Sequence, residues 1–172
     1  MRLFAERGYH ATTVADVADA AEVSSMTVFR HFPTKEALVL ADDYDPTIAA
    51  RIAARPAGEP LLRRIGWSLV EGVAELSADE FDLVLARVRL VHATPALRAR
   101  HWETQFQTAQ AIVDGLSDGL DDDEVFRVRV TAEVCLAAAG VAFFRWAEAD
   151  GRADLTALME QALSVVVGEA HP

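Results

Sequence analysis

The sequence predicts an all-α chain, and three observations carry that prediction. Ala, Leu, Glu and Arg, all good helix formers, are abundant. Nine Gly and six Pro make only 15 of 172 residues, too few for a many-turned β protein. Between these breakers, apolar residues recur three and four apart, the period of an amphipathic helix. The predicted architecture is an N-terminal three-helix unit containing a helix-turn-helix, then a C-terminal helical bundle.

The breakers mark the elements in order. Gly8-Tyr9-His10 ends a first helix. Thr12 and Thr13 open a second, with Thr13-x-x-Asp16 as a capping box. Glu22-Val23-Ser24 separates it from a third helix over residues 25–32. Pro33-Thr34 opens a fourth that runs from Lys35 toward Arg55, with Thr34 as its N-cap and Glu36 in its first turn. Pro46 inside that stretch predicts a kink or break. Residues 56–60, Pro-Ala-Gly-Glu-Pro, form a loop. Further helices are expected near 60–77, 79–92, 95–117, 122–149 and 154–168. Asp79, Pro95 and Asp154 sit at their starts, and Gly151 follows an end. Phe81, Val84, Leu85, Val88 and Val91 fit a helical face better than a period of two. The acidic turn at 121–124 reads as a solvated helix N-terminus.

Composition narrows the class. The single cysteine, Cys135, cannot form an internal disulfide. No apolar run reaches the ~18 residues that span a membrane, and charges stand where a signal peptide needs its apolar core. A cytoplasmic protein is expected. The net charge of −11 argues, taken whole, against a nucleic-acid partner. Its distribution reverses that argument. Residues 1–40 hold four basic and five acidic side chains, a net of −1, so the acid belongs to the rest of the chain.

Two helices of about eight residues joined by a short turn make a helix-turn-helix candidate. Val14, Val17, Ala18 and Ala21 line one face of the first, Val23 fills the turn, and Val28, Phe29 and Phe32 give the second its inner face. The second helix then presents Ser24, Ser25, Met26, Thr27, Arg30 and His31 near its N-terminus, as a recognition helix must.

The run from Leu3 to Val14, Leu-Phe-Ala-Glu-Arg-Gly-Tyr-His-Ala-Thr-Thr-Val, resembles the start of the TetR family of bacterial regulators. So does the run from Val23 to Leu38, ending Phe-Arg-His-Phe-Pro-Thr-Lys-Glu-Ala-Leu. The resemblance covers residues 3–40 and implies a homodimer that binds a near-palindromic DNA operator and releases it on binding a small molecule. It implies a DNA-binding domain over residues 1–42, with a short first helix, and a ligand-binding and dimerisation domain over residues 43–172. It further implies that Thr13 contacts phosphate and that Ser24, Ser25, Met26 and Thr27 approach bases and nearby phosphates. Phe29, Arg30 and His31 match backbone or base contacts, and Lys35 a phosphate-binding lysine. The chain departs from the family in three respects. Many members carry a basic turn of helix before the position of Leu3, where this sequence starts at Met1; Ser25 stands where many members have Lys or Arg, and Met26 stands where many have Gly. Met26 is able to meet a thymine methyl. With a block charge of −1, operator binding is expected to be salt-sensitive.

The C-terminal part carries no catalytic motif, and no metal or other cofactor is expected. Aromatics cluster there, which suggests a ligand pocket between helices. The pocket residues expected are Trp67, Val84, Val88, Trp102, Phe106 and Phe143, with Arg87 and His101 as polar anchors. Phe143 and Phe144 are ~100° apart on a helix and are not expected to face one cavity together. Residues 26–35, followed by 41–46, resemble actinobacterial members with acyl-CoA-like ligands. Three Arg-x-Arg pairs, Arg87/Arg89, Arg98/Arg100 and Arg127/Arg129, are candidate phosphate partners. Dimerisation is expected through Val130, Val134, Ala138 and Val141, with Leu155, Leu158, Met159, Ala162 and Val166. The partners expected are thus double-stranded DNA, a small hydrophobic effector and a second copy of the chain, with no membrane. The competing reading is a helical small-molecule or protein-binding module without DNA binding. An enzyme is a more distant third.

Overall fold

A computed structural model describes residues 1–40 and 45–168, apart from the side chains of Asp45 and Pro46. The described residues form ten helices and no strand. In chain order they are α1 (Arg2–Arg7), α2 (Val14–Ala20), α3 (Ser25–His31), α4 (Lys35–Leu40), α5 (Asp45–Ala54), α6 (Leu61–Ala74), α7 (Ala78–Ala93), α8 (Pro95–Leu116), α9 (Asp122–Glu148) and α10 (Leu155–Val167). The expected fourth helix is described as α4 and α5, one on each side of residues 41–44, so the break expected at Pro46 turns on residues outside those described. The expected domain boundary at 42/43, and most of the 41–46 stretch, lie outside the described residues.

Side-chain caps set most of the helix starts. Thr13 and Asp16 form a reciprocal capping box on α2. Ser77 with Glu80, and Asp121 with Glu124, do the same for α7 and α9. The acidic turn is thus a cap as well as a solvated end. Thr34 accepts from the Ala37 N–H at 3.1 Å, and Asp154 from the Ala157 N–H at 3.1 Å. Gly151 ends the α9 turn at φ +73°, a left-handed conformation that calls for glycine.

Two apolar clusters organise the packing. The larger gathers around α9, where Ala132, Cys135, Leu136, Ala139, Ala142 and Trp146 meet Ile65, Leu69 and Val73 of α6, Ile112 of α8, and Met159 and Leu163 of α10. The smaller ties the N-terminal unit to the bundle: Phe4, Tyr9, Val39 and Leu40 pack with Val91 of α7 and Leu97 of α8, and Phe144 of α9 joins from the side. The 56–60 loop is clamped, because Arg55 holds Glu59 through Nε (2.7 Å) and Nη2 (2.8 Å) and reaches Glu71 of α6 through Nη1 (2.5 Å).

Candidate DNA-reading face and ligand cavity

The N-terminal site is built on α2 and α3. Val28 is buried beneath α3, which turns the opposite side of that helix outward. Met26, Phe29, Arg30 and His31 are all exposed. Phe29 is therefore not part of the inner face, where the apolar pattern had placed it. Ser25 and Thr27 are half-buried, and Ser24 is exposed. The hydroxyls of Ser24 and Thr27 lie 2.9 Å apart, and Ser24 Oγ also accepts the Thr27 N–H at 3.1 Å. Both are engaged in the cap of α3. Thr13 is exposed, yet its hydroxyl donates to Asp16 Oδ2 at 2.6 Å. That bond, first among several, holds the Asp16 carboxyl below the usual carboxylate range. Lys35, at the start of α4, places its Nζ 4.3 Å from the centre of the Tyr9 ring.

The second site is a partly open cavity of about 420 Å³ lined by α5 to α10 and the end of α4. Its size suits a small-molecule site. Val84, Arg87, Val88, His101 and Phe143 line it. Three other residues expected there do not. Trp67 packs against the larger core cluster, with the Arg63 guanidinium 5.7 Å from its ring centre. Trp102 and Phe106 are 68% and 56% exposed. Each follows a lining residue, His101 or Gln105, by one position and so points ~100° away around α8. The expectation had weighed residue type over angle. Phe143 and Phe144 both line the wall, against expectation, because the cavity extends across α9 toward the smaller cluster.

The sequence reading missed other lining residues: Leu40, Ile48, Arg51, Ser68, Leu69, Gly72, Val73, Val91, Thr104, Gln105, Thr108, Leu136 and Phe144 among them. A signal was present. Val84, Arg87, Val88 and Val91 continue one face of α7, and His101, Thr104, Gln105 and Thr108 one face of α8, at spacings of three and four. The α8 face is polar, which hid it from a search for apolar stripes.

That polar wall is held in place. Gln105 donates from Nε2 to the Leu136 carbonyl at 3.3 Å, and Gly140 leaves room for it, since a Cβ there would stand 3.2 Å from that nitrogen. Burial lowers the pKa of His101, so its imidazole is neutral at neutral pH. Arg51 is paired with Glu75 at 2.8 Å. Of the three Arg-x-Arg pairs only Arg87 reaches the cavity. Arg89 bonds Asp150, Arg98 the His92 carbonyl, Arg100 pairs with Glu103, and Arg129 bonds Gln110, so these side chains engage separate partners and form no common clamp.

The residues expected at a dimer interface divide into two sets. Val130, Val134 and Val141 are exposed on α9, and Val165 of α10, which the sequence reading omitted, is exposed too. Leu155 and Met159 are buried, and Met159 lines the cavity. The apolar pattern of α10 serves two faces: Leu155, Met159 and Leu163 turn inward at spacings of four, so the first two are core residues. Ala138, Leu158 and Ala162 are partly buried against the larger cluster, and Val166 is half-buried.

Among the described residues no helix is long and apolar enough to cross a membrane, and no cluster of metal-binding side chains is found. A family model described as bacterial regulatory proteins of the tetR family matches residues 1–41, and one described as the MftR C-terminal domain matches residues 59–170. The HTH-type transcriptional regulator TcmR of Streptomyces glaucescens is 31% identical over 155 residues, which is 85% of this chain and 69% of that protein. The HTH-type transcriptional repressor KstR2 of Rhodococcus jostii is 29% identical over 99% of this chain and 87% of its own. In fold, the chain resembles a transcriptional regulator FadR from Bacillus subtilis in complex with stearoyl-CoA, with a TM-score of 0.61 at 18% identity, covering 99% of this chain and 95% of that one. It also resembles the TetR-family repressor FadR of Thermus thermophilus in complex with lauroyl-CoA, with a TM-score of 0.59 at 26% identity, covering 100% and 91%. The matched relatives are named as regulators and repressors of transcription, which are not enzymes. With a helix-turn-helix at one end and a cavity-bearing helical bundle at the other, the chain belongs to the TetR family of bacterial transcriptional regulators.

Proposed function

We propose that the protein is a cytoplasmic, ligand-responsive repressor that binds a near-palindromic operator as a homodimer and leaves it when a small hydrophobic effector enters the cavity. Residues 1–42 read DNA, and residues 43–172 bind effector and partner. The observation that carries the ligand response is a shared wall. Leu40, Val91 and Phe144 line the cavity and also belong to, or pack on, the cluster that anchors the N-terminal unit. An occupant that shifts those side chains shifts α4, and with it the placement of α3. A competent dimer sets its two recognition helices ~34–36 Å apart, one turn of DNA. Effector must therefore bind better to a conformation with a different spacing.

The effector proposed is acyl-CoA-like, in line with the ligands named for the two FadR structures. Leu69 and Val73 of α6 with Val84, Val88 and Val91 of α7 offer an acyl chain apolar surface. The cavity of about 420 Å³ would take the acyl chain, with the nucleotide end directed toward its open side.

The test selects duplexes from a randomised pool with the full chain, then titrates lauroyl-CoA into the complex. The expected result is selective binding with a steep salt dependence, and release by lauroyl-CoA but not by CoA alone. Absence of any selected duplex at low salt would sink the repressor reading and favour the binding module. Release by neither compound would sink the proposed effector class.

A further inference from the structure

The outward face of α3 is unusually apolar for a surface that meets DNA. Met26 is 77% exposed and Phe29 46%. With Arg30 they span about 100° of helix surface, Phe29 lying ~60° from Met26 on one side and Arg30 ~40° on the other. Packing does not explain them, because Val28 on the far side is the buried residue of this helix. Nor do Ser24 and Thr27 offset their character, since those hydroxyls are engaged with each other and with the α3 backbone. At the centre of this face stand a thioether and a phenyl ring beside one guanidinium, with His31 exposed ~100° further round the helix from Arg30.

Neither a thioether nor a phenyl ring can match the donors and acceptors of base edges. The apolar feature that a base presents in the major groove is the C5-methyl group of thymine. We propose that Met26 and Phe29 are the sequence-reading residues of this protein and that they read thymine methyl groups. This rests on the DNA-binding reading above and specifies what the operator contains. Three residues of α-helix rise ~4.5 Å, and base pairs stack ~3.4 Å apart, so the two thymines fall on neighbouring base pairs of each half-site. Arg30, beside them on the same face, fixes the register against a phosphate or a guanine.

The experiment again uses the full chain and duplexes selected from a randomised pool. The enriched half-site is expected to carry thymine at neighbouring positions. That duplex is then remade with deoxyuridine at each of these positions, which deletes the methyl group and leaves every hydrogen-bonding edge intact. Affinity is expected to fall about fourfold for each methyl removed. Met26→Ala should bind the thymine and uracil duplexes equally at one position, while Met26→Leu, which restores an apolar chain, should keep the discrimination. Equal affinity of the unaltered protein for thymine and uracil duplexes overturns the inference and leaves operator binding standing. Enrichment of half-sites without thymine overturns it in the same way. Failure to enrich any duplex removes the DNA-binding reading and this inference with it.

Discussion

The Lys35 ammonium lies 4.3 Å from the centre of the Tyr9 ring, and the Tyr9 hydroxyl donates to the neighbouring Glu36 carboxylate at 2.5 Å. The three side chains come from opposite ends of the N-terminal unit, Tyr9 between α1 and α2 and the other two at the start of α4. Tyr9 is itself buried and stacks on Phe4, with ring centres 6.0 Å apart. Burial, and next the bond to Glu36, push the phenol pKa up, so it stays a donor. The same bond is the largest cause holding the Glu36 carboxyl below its ordinary value. A fixed aromatic platform thus positions the Lys35 cation, which is proposed to meet a DNA phosphate.

Lys35→Ala should therefore weaken binding to all duplexes alike and lower the salt slope by about one. Tyr9→Leu should keep the charge but lose its platform, its hydroxyl and its ring packing, lowering both affinity and melting temperature. Affinities measured on several duplexes across a salt series decide the matter. A change in sequence preference with Lys35→Ala would show that the lysine reads bases.

Thr12 supplies a second hidden fastening. It is fully buried, and its hydroxyl faces the Gly8 carbonyl at 2.9 Å and the Leu3 carbonyl at 3.2 Å. It ties α1 to the start of α2. Thr12→Val keeps the shape and strands those carbonyls, so it should cost about 1–2 kcal/mol. Thermal unfolding should then shift down by roughly 3–6 °C. Thr12→Ser, which retains the hydroxyl, should lose less. A loss in Thr12→Ser with none in Thr12→Val would show that the methyl group matters and the hydroxyl does not.

The helices were legible because their punctuation is local. Thr13 with Asp16, Thr34, Asp154 and Gly151 each act on backbone within a few residues, and each stands where the pattern put it. The cavity was legible only in part, because membership depends on angle and on neighbours distant in the chain. His101 and Trp102 are adjacent and equally ring-bearing, yet one lines the cavity and the other faces outward. Met159 and Val165 are both apolar on α10, and only the packing of α6 and α9 decides which is core. The cap of α3 was likewise hidden. Ser24 and Thr27 are residue types that read bases elsewhere, and nothing local in the sequence showed that they bond each other.

His101 makes stability depend on pH in a defined window. Its pKa lies below the ordinary 6.5 because burial opposes the charged form. Arg87 and Glu80 of α7 line the same cavity, and the ring meets Phe144 of α9 edge-on at 6.0 Å. The unfolded chain takes its proton near 6.5 and the folded one only lower, so stability is intact above that value and falls as the pH drops below it. His101→Gln should flatten the loss of melting temperature between about pH 7.5 and about pH 5.5. The later loss, as the depressed Asp16 and Glu36 carboxyls take up protons, should remain. Identical pH profiles for the variant and the parent would refute the assignment.

Cavity filling separates effector binding from DNA binding. Val88 lines the cavity from α7, away from the clusters that build the fold. Val88→Phe places a ring in space an occupant would need. Lauroyl-CoA should raise the melting temperature of the parent protein, and at least tenfold more should be needed for the variant, a difference of about 1.4 kcal/mol. Both should bind the selected duplex alike. An unchanged response to lauroyl-CoA in the variant would place that ligand elsewhere.

Val141 tests the proposed dimer. It is 66% exposed on α9, in the same outward stripe as Val130 and Val134. A charge there costs the subunit little, because the side chain has few internal contacts to lose. In a two-fold interface the same patch meets itself, so Val141→Lys brings two like charges together and leaves them partly desolvated. The parent chain of 18.7 kDa should sediment at twice that mass, and the variant as a monomer with unchanged helical circular dichroism. Operator affinity should fall by roughly 10²-fold, because two half-sites are no longer bound through one linked pair. Gln107→Lys, on the exposed side of α8, should leave the mass unchanged. A Val141→Lys protein that still sediments as a dimer would move the interface off this stripe, and the exposed Trp102 and Phe106 of α8 would be the next surface to substitute.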